Sequence, residues 1–230
     1  MKILALETAT EACSVALWID GDVRERFEVA PRRHTELVLP WTETLLADAG
    51  IGRTQLDAIA CGRGPGAFTG VRLAVALTQG LALALDRPVL AISTLAALAL
   101  DADAEHGEHV LAAIDARMGE IYLAGYVRDG DAGVREVLAE RLVDPAAVTC
   151  AEFERCVGVG TGFAAGHGIL AVTLAGQLQR CDASALPHAA AVARLAAAAY
   201  ERGDAIAPDA LEPAYLRNKV ALTLAEQGKA

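Results

Sequence analysis

Two apolar runs end in a carboxylate, Ile3-Leu4-Ala5-Leu6-Glu7 and Leu111-Ala112-Ala113-Ile114-Asp115, and between them lies the glycine-rich stretch GRGPGAFTGVR at residues 62–72. A carboxylate at a strand end can hold a magnesium ion, and hydroxyls such as Thr8 and Thr10 can donate to phosphate oxygens. Backbone N–H groups at a strand-to-helix junction attract anions. Together these are the parts of a phosphotransfer site.

Each part, read closely, departs from that chemistry. Backbone that approaches phosphates closely needs glycine, yet the first turn reads Glu7-Thr8-Ala9-Thr10-Glu11, with no glycine and an added negative charge. The second, Asp115-Ala116-Arg117-Met118-Gly119, places two bulky side chains where a phosphate would pass. Glu7 and Asp115 could still bind magnesium; the alternative, which the worn turns favour, is that they cap strand ends. The loop at 62–72 lacks the Lys-Ser/Thr end of a P-loop, and Gly62, Gly64, Gly66 and Gly70 miss the G-x-G-x-x-G spacing. Pro65 removes a further donor. A mechanical role suits the loop better: a sharp reversal, with Thr69 capping the next helix and Arg72 emerging in its first turn.

Other chemistries find less support. The histidines (34, 106, 109, 167 and 188) form no H-E-x-x-H pair. Asp101, Asp103 and Glu105 loosely suggest a calcium loop, but the glycine falls one position late and position twelve is Ala112. Ser14, Ser93 and Ser184 lack a G-x-S-x-G setting. Cys13, Cys61, Cys150, Cys156 and Cys181 show no C-x-x-C spacing and read as small core residues of a protein from a reducing cytoplasm.

These residues must be positioned by a body of 230 residues, 54% hydrophobic but only 4% aromatic, hence a core of Ala, Leu and Val. The net charge of -10 disfavours unaided nucleic-acid binding. Arg24, Arg26, Arg32 and Arg33 alternate with Glu25 and Glu28 and read as a solvated strand face. No membrane span is expected: 156–179 carries six glycines and a histidine, and 73–100 is cut by Asp86-Arg87-Pro88.

The chain repeats itself. After Glu7 comes Ser14 to Trp18, and after Asp115 comes Glu120 to Ala124; third strands are expected at 23–30 and 134–143. An amphipathic helix at 35–49 and a strand at 57–61 lead into the glycine loop, and a strand at 156–159 leads into Gly160-Thr161-Gly162. The half-repeat is hairpin, strand, helix, strand, glycine turn, helix, and its copy begins near residue 108. Alternating strands and helices in tandem predict an α/β protein of two lobes with a cleft between them, divided as 1–104 and 105–230. A helix at 189–203 and a tail at 208–219 complete it.

Four segments, ILALETATEACSVAL, GRGPGAFTGVR, AIDARMGEIY and PAYLRNK, resemble the TsaB (YeaZ) family, bacterial subunits of the machinery that makes N6-threonylcarbamoyladenosine in tRNA. The resemblance implies the actin-like, Hsp70-like ATPase (ASKHA) fold, two duplicated lobes, each a mixed sheet with helices. It implies a cytoplasmic, non-catalytic subunit that dimerises with the catalytic paralogue TsaD and recruits the ATPase TsaE. TsaD transfers threonylcarbamoyl to the adenosine beside the anticodon of tRNAs reading ANN codons. The tRNA would be met only within the complex, and the chain would form a homodimer when alone. ATP or ADP with magnesium could sit at the joint between subunits. The alternatives are an active ATPase or sugar-kinase-like phosphotransferase of the same fold, or a protease acting on TsaD.

Helix 70–85 carries apolar residues on every side and therefore wants covering on every side. One face can pack on its own sheet; the other, with helix 35–49, would meet the partner. The expected interface is Leu37, Val38, Trp41, Leu45, Phe68, Val71, Arg72, Leu73, Leu77 and Leu81, and a charge at Leu77 is expected to weaken the complex while sparing the fold.

Overall fold

A computed structural model describes residues 1–130, 133–149 and 153–217. In the first half, β1 (Lys2–Glu7), β2 (Ala12–Ile19) and β3 (Asp22–Val29) form a meander, followed by α1 (His34–Asp48), β4 (Ala58–Gly62), α2 (Phe68–Leu85), β5 (Val89–Ile92) and α3 (Thr94–Leu100). In the second, β6 (His109–Arg117), β7 (Glu120–Asp129) and β8 (Gly133–Val143) repeat the meander, then β9 (Cys156–Val159), α4 (Ala165–Thr173), β10 (Leu178–Asp182) and α5 (Ala189–Arg202) follow.

The two sheets have the same plan. Their orders are β3-β2-β1-β4-β5 and β10-β9-β6-β7-β8. In each, the meander is antiparallel and the last two strands are parallel to the first. This is the duplicated, two-lobed plan of the actin-like and Hsp70-like ATPases.

The half-repeat read from the sequence needs three corrections. Beside α5, the helix expected at 189–203, each half holds a fifth strand, β5 or β10, and the first half a short helix after it, α3. These were illegible because four- and five-residue strands and a seven-residue helix carry too little periodicity to declare themselves. The second half has no counterpart of α1 among the described residues; the three-residue turn Pro145–Ala147 stands in its place. Finally, α2 starts at Phe68 behind Ala67, so Thr69 lies inside the first turn and does not cap the helix. Cys150 and the end of the expected tail, residues 218 and 219, lie outside the described residues.

The terminal helices are exchanged between lobes. Leu95, Leu98 and Ala99 of α3 pack on Val110, Ala112 and Ala124 of the second sheet. Ala189, Val192, Ala193 and Ala196 of α5 pack on Ile3, Ala5, Ala16 and Ala58 of the first. Small residues on both surfaces let helix and sheet approach closely, which is where the alanine-rich composition goes. A boundary at residue 104 thus parts the sheets but not the helices.

The start of α5 is held by a polar anchor. Glu25 of β3 accepts from Ser14 Oγ at 2.7 Å, Ala190 N at 2.9 Å and His188 Nδ1 at 3.0 Å. Ser14 Oγ in turn accepts from Ala189 N at 2.9 Å. Phe27 stacks on the His188 ring with centroids 4.1 Å apart. Period-two alternation on β3 sends Arg24 and Arg26 to solvent and Glu25 inward; the solvated face inferred from the sequence is only half of this strand.

Candidate functional site

A cleft of about 1060 Å³ lies between the lobes, lined by both hairpin turns, the glycine loop, the start of α2 and the tail. The first turn is folded inward. Glu7, 1% exposed, is absent from the cleft lining. Its carboxylate accepts from Ala9 N at 2.7 Å and from Thr94 Oγ1 at 3.0 Å. Burial pushes the Glu7 pKa up to about 7 against the lowering effect of those bonds. Room for the carboxylate comes from Gly62, where a Cβ would lie 1.8 Å from Glu7 Oε2.

The glycine loop is pressed onto that same turn. A Cβ at Gly70 would stand 1.9 Å from Thr8 O, and one at Gly66 2.4 Å from Ala9 O. Ala67 N donates to Ala9 O at 2.7 Å, and Thr8 Oγ1 donates to Gly70 O at 2.7 Å. His34 Nε2 lies 3.0 Å from Thr10 O and 3.1 Å from Ala12 O, tying the other side of the turn to the start of α1. The glycines therefore allow close backbone approach within the protein, where a phosphate cradle would aim its donors outward.

The second turn faces the cleft but is occupied by its own side chains. Asp115 accepts from Arg117 N at 2.8 Å and pairs with the Arg117 guanidinium at 2.9 Å. Arg117, Met118 and Gly119 are all left-handed, with φ of 65°, 58° and 81°. The tail crosses to this turn as a strap: Ala214 N donates to Arg63 O at 2.8 Å, and Arg217 donates to Ala116 O at 3.1 Å and pairs with Glu120 at 2.7 Å. Arg63 joins the lobes as well, through Glu140 of β8 at 3.1 Å.

The fold implies a magnesium nucleotide between the lobes, and these residues do not fit one. Of the four expected phosphate-turn residues, Thr10 and Asp115 line the cleft while Glu7 and Thr8 are committed to internal bonds. Glu7 and Asp115 are thus not brought together around an ion. Among the described residues no cluster of three or more His, Cys, Asp or Glu is placed to hold a metal. Sequence reasoning missed His34, Thr94, Arg63 and Arg217 as the residues that secure the turns. Of these, Arg63 and Arg217 carried a signal, as members of the resembling segments GRGPGAFTGVR and PAYLRNK, without a role.

The outer face of α1 and α2 is apolar and open. Leu83 is 64% exposed, Phe68 55% and Leu39 44%. Arg72, Ala76, Gly80 and Ala84 are exposed between them. Leu37, Trp41, Leu73, Leu77 and Leu81 are half-buried. Val38, Leu45 and Val71 are corrected: they are buried in the first lobe, as α2 turns Val71, Ala74, Val75 and Ala82 toward its own sheet. Leu77 also packs on that core, so a charge there would strike the fold; Leu83 is the better probe. By length and composition α2 could cross a bilayer, but it lies on β4 and carries Arg72.

Residues 28–227 match the family described as "TsaD: tRNA N6-adenosine threonylcarbamoyltransferase". The tRNA threonylcarbamoyladenosine biosynthesis protein TsaB of Escherichia coli (strain K12) is 42% identical over 229 residues, spanning 96% of this chain and 96% of its own. The TsaB of Haemophilus influenzae is likewise 42% identical, over 96% of this chain and 95% of its own. Among solved structures, YeaZ from Pseudomonas aeruginosa superposes with a TM-score of 0.83 at 43% identity, covering 94% of this chain and 99% of that one. The two duplicated sheets and the identity along nearly the whole length agree: the chain belongs to the TsaB (YeaZ) family, within the wider TsaD family.

Proposed function

We propose that this chain is the non-catalytic scaffold of a cytoplasmic complex that makes N6-threonylcarbamoyladenosine in tRNA, docking on the catalytic paralogue TsaD through α1 and α2. The observation that carries this reading is the open apolar face of those helices, centred on Leu83 and Phe68, beside a first turn whose Glu7 is turned away from the cleft. Exposed apolar patches of this kind mark interaction sites. The face serves a second copy of the chain when TsaD is absent, and the assembled pair engages the ATPase TsaE and the tRNA.

Reconstitution with TsaD, TsaE and tRNA tests it. Modification is expected to fall to background when the chain is omitted. It should also fall for Leu83→Asp, which breaks the docking face while circular dichroism stays native. Full-rate modification without the chain would refute the scaffold role.

A further inference from the structure

Arg72 is the sole charged residue in the 18 residues of α2. Its place near the N-terminal end gives it no favourable interaction with the helix dipole, which rewards cations at the opposite end. Its guanidinium is nevertheless held in a fixed plane. The Cζ atom lies 3.4 Å from the Phe68 ring centroid and 5.3 Å from that of Tyr215, and Nε donates to Tyr215 Oη at 2.9 Å. The Phe68 ring and the Tyr215 phenol orient the group and leave its terminal nitrogens free of any carboxylate among the described residues.

The acids of α1 are already engaged. Of the carboxylates on α1, Glu43 pairs with Arg53 at 2.6 Å, Glu36 with Arg33 at 3.6 Å and Asp48 with Arg26 at 3.8 Å. An oriented guanidinium fork is suited to a carboxylate, and a neutral phenol is a weaker partner than an anion. A cation buried without a counter-charge is costly. Whatever covers this face must therefore bring an anion or lose affinity. The α1 carboxylates that a second copy of the chain would bring to the same face are already paired.

Resting on the docking reading above, we infer that Arg72 is the specificity residue of the α1–α2 face: it takes an Asp or Glu side chain of the protein partner and disfavours self-association. The residue both attracts the paralogue and penalises the homodimer, so removing its charge should move the two affinities in opposite directions. Phe68 and Tyr215 position the fork, and lysine, which lacks the planar group, should not replace it.

The test measures dissociation constants for TsaD from the same genome by calorimetry, at low and high salt without tRNA, and self-association by sedimentation. Arg72→Leu should weaken TsaD binding at least about tenfold, erase most of its salt dependence, and tighten the homodimer. Arg72→Lys should recover little of the loss, and Leu83→Glu should weaken both assemblies while keeping the salt dependence. The exposed position of Arg72 keeps these variants folded, which circular dichroism checks. Equal weakening of both assemblies by Arg72→Leu, or no change in either, would overturn the inference. So would an effect seen only with tRNA present, which would make the anion a phosphate. If Leu83→Glu releases TsaD and Arg72→Leu does not, this inference alone fails; if neither does, the docking face itself is wrong and the inference falls with it.

Discussion

Replacing Glu25 by Ala should detach the start of α5 from the first sheet. The substitution removes the acceptor for Ser14 Oγ, Ala190 N and His188 Nδ1, leaving a fully buried hydroxyl and a helix amide without their carboxylate. Hydrogen bonds to a charged group contribute roughly 1.5–3 kcal/mol each. Bonds sharing one carboxylate do not add, so the expected loss is about 3 kcal/mol, or ~6–12 °C in Tm for a chain of this size. Glu25→Gln keeps an acceptor for Ser14 or Ala190 and should lose about 1 kcal/mol.

The pH dependence of that loss has a definite sign. The bond to Glu25 raises the His188 pKa above its ordinary 6.5, although burial opposes it. That contribution is full below 6.5 and is lost as pH rises through the folded-state value. At Glu25, burial acts upward, but bonds from His188, Ser14 and Ala190 N outweigh it and hold the pKa below its ordinary 4.5. This second contribution is present above 4.5 and is lost as pH falls through the lowered value. The gap between wild type and Glu25→Ala should therefore be widest between pH 4.5 and 6.5. It should narrow by less than about 1 kcal/mol toward alkaline pH, because the imidazole is 35% exposed and screened. Urea titrations at pH 5.5 and 8.5 measure it, and a gap that is absent, or wider at 8.5, refutes the reasoning.

Three further outcomes follow from the turns. Gly70→Ala forces a Cβ against Thr8 O at 1.9 Å and should cost at least about 3 kcal/mol, seen as loss of soluble folded protein or a low urea midpoint. Glu7, with its pKa raised to about 7 from 4.5, contributes stability that is full below 4.5 and lost as pH rises through 7. Glu7→Gln should therefore gain on wild type by about 2 kcal/mol from pH 5 to pH 8; a flat difference would show that Glu7 is charged when folded. Asp115→Ala should leave tRNA modification in the reconstituted system within about twofold of wild type, whereas a hundredfold loss would restore a catalytic reading of the second turn.

The two lobes, the paired carboxylate-ended strands and the family were legible in the sequence because period-two and period-3.6 patterns and the glycine-loop motif are local, carried by neighbouring residues. The same locality hid β5, α3 and β10, whose short apolar runs are compatible with either secondary structure. Helix 70–85 looked apolar on every side; only packing decided that Val71 and Ala74 face the sheet while Leu83 and Phe68 face outward. Glu7 and Asp115 occupy matching places in the repeat, yet one is buried against Thr94 and Gly62 and the other is held at the cleft by Arg117. Which donors meet a carboxylate depends on residues 87 positions away for Glu7 and 165 for Glu25. The exchange of α3 and α5 between sheets, the Arg63–Glu140 pair and the Arg217 strap are of the same kind. Sequence fixes propensity and pattern along the chain, whereas contacts between distant segments, and with them the burial and charge of each group, exist only once the chain has folded.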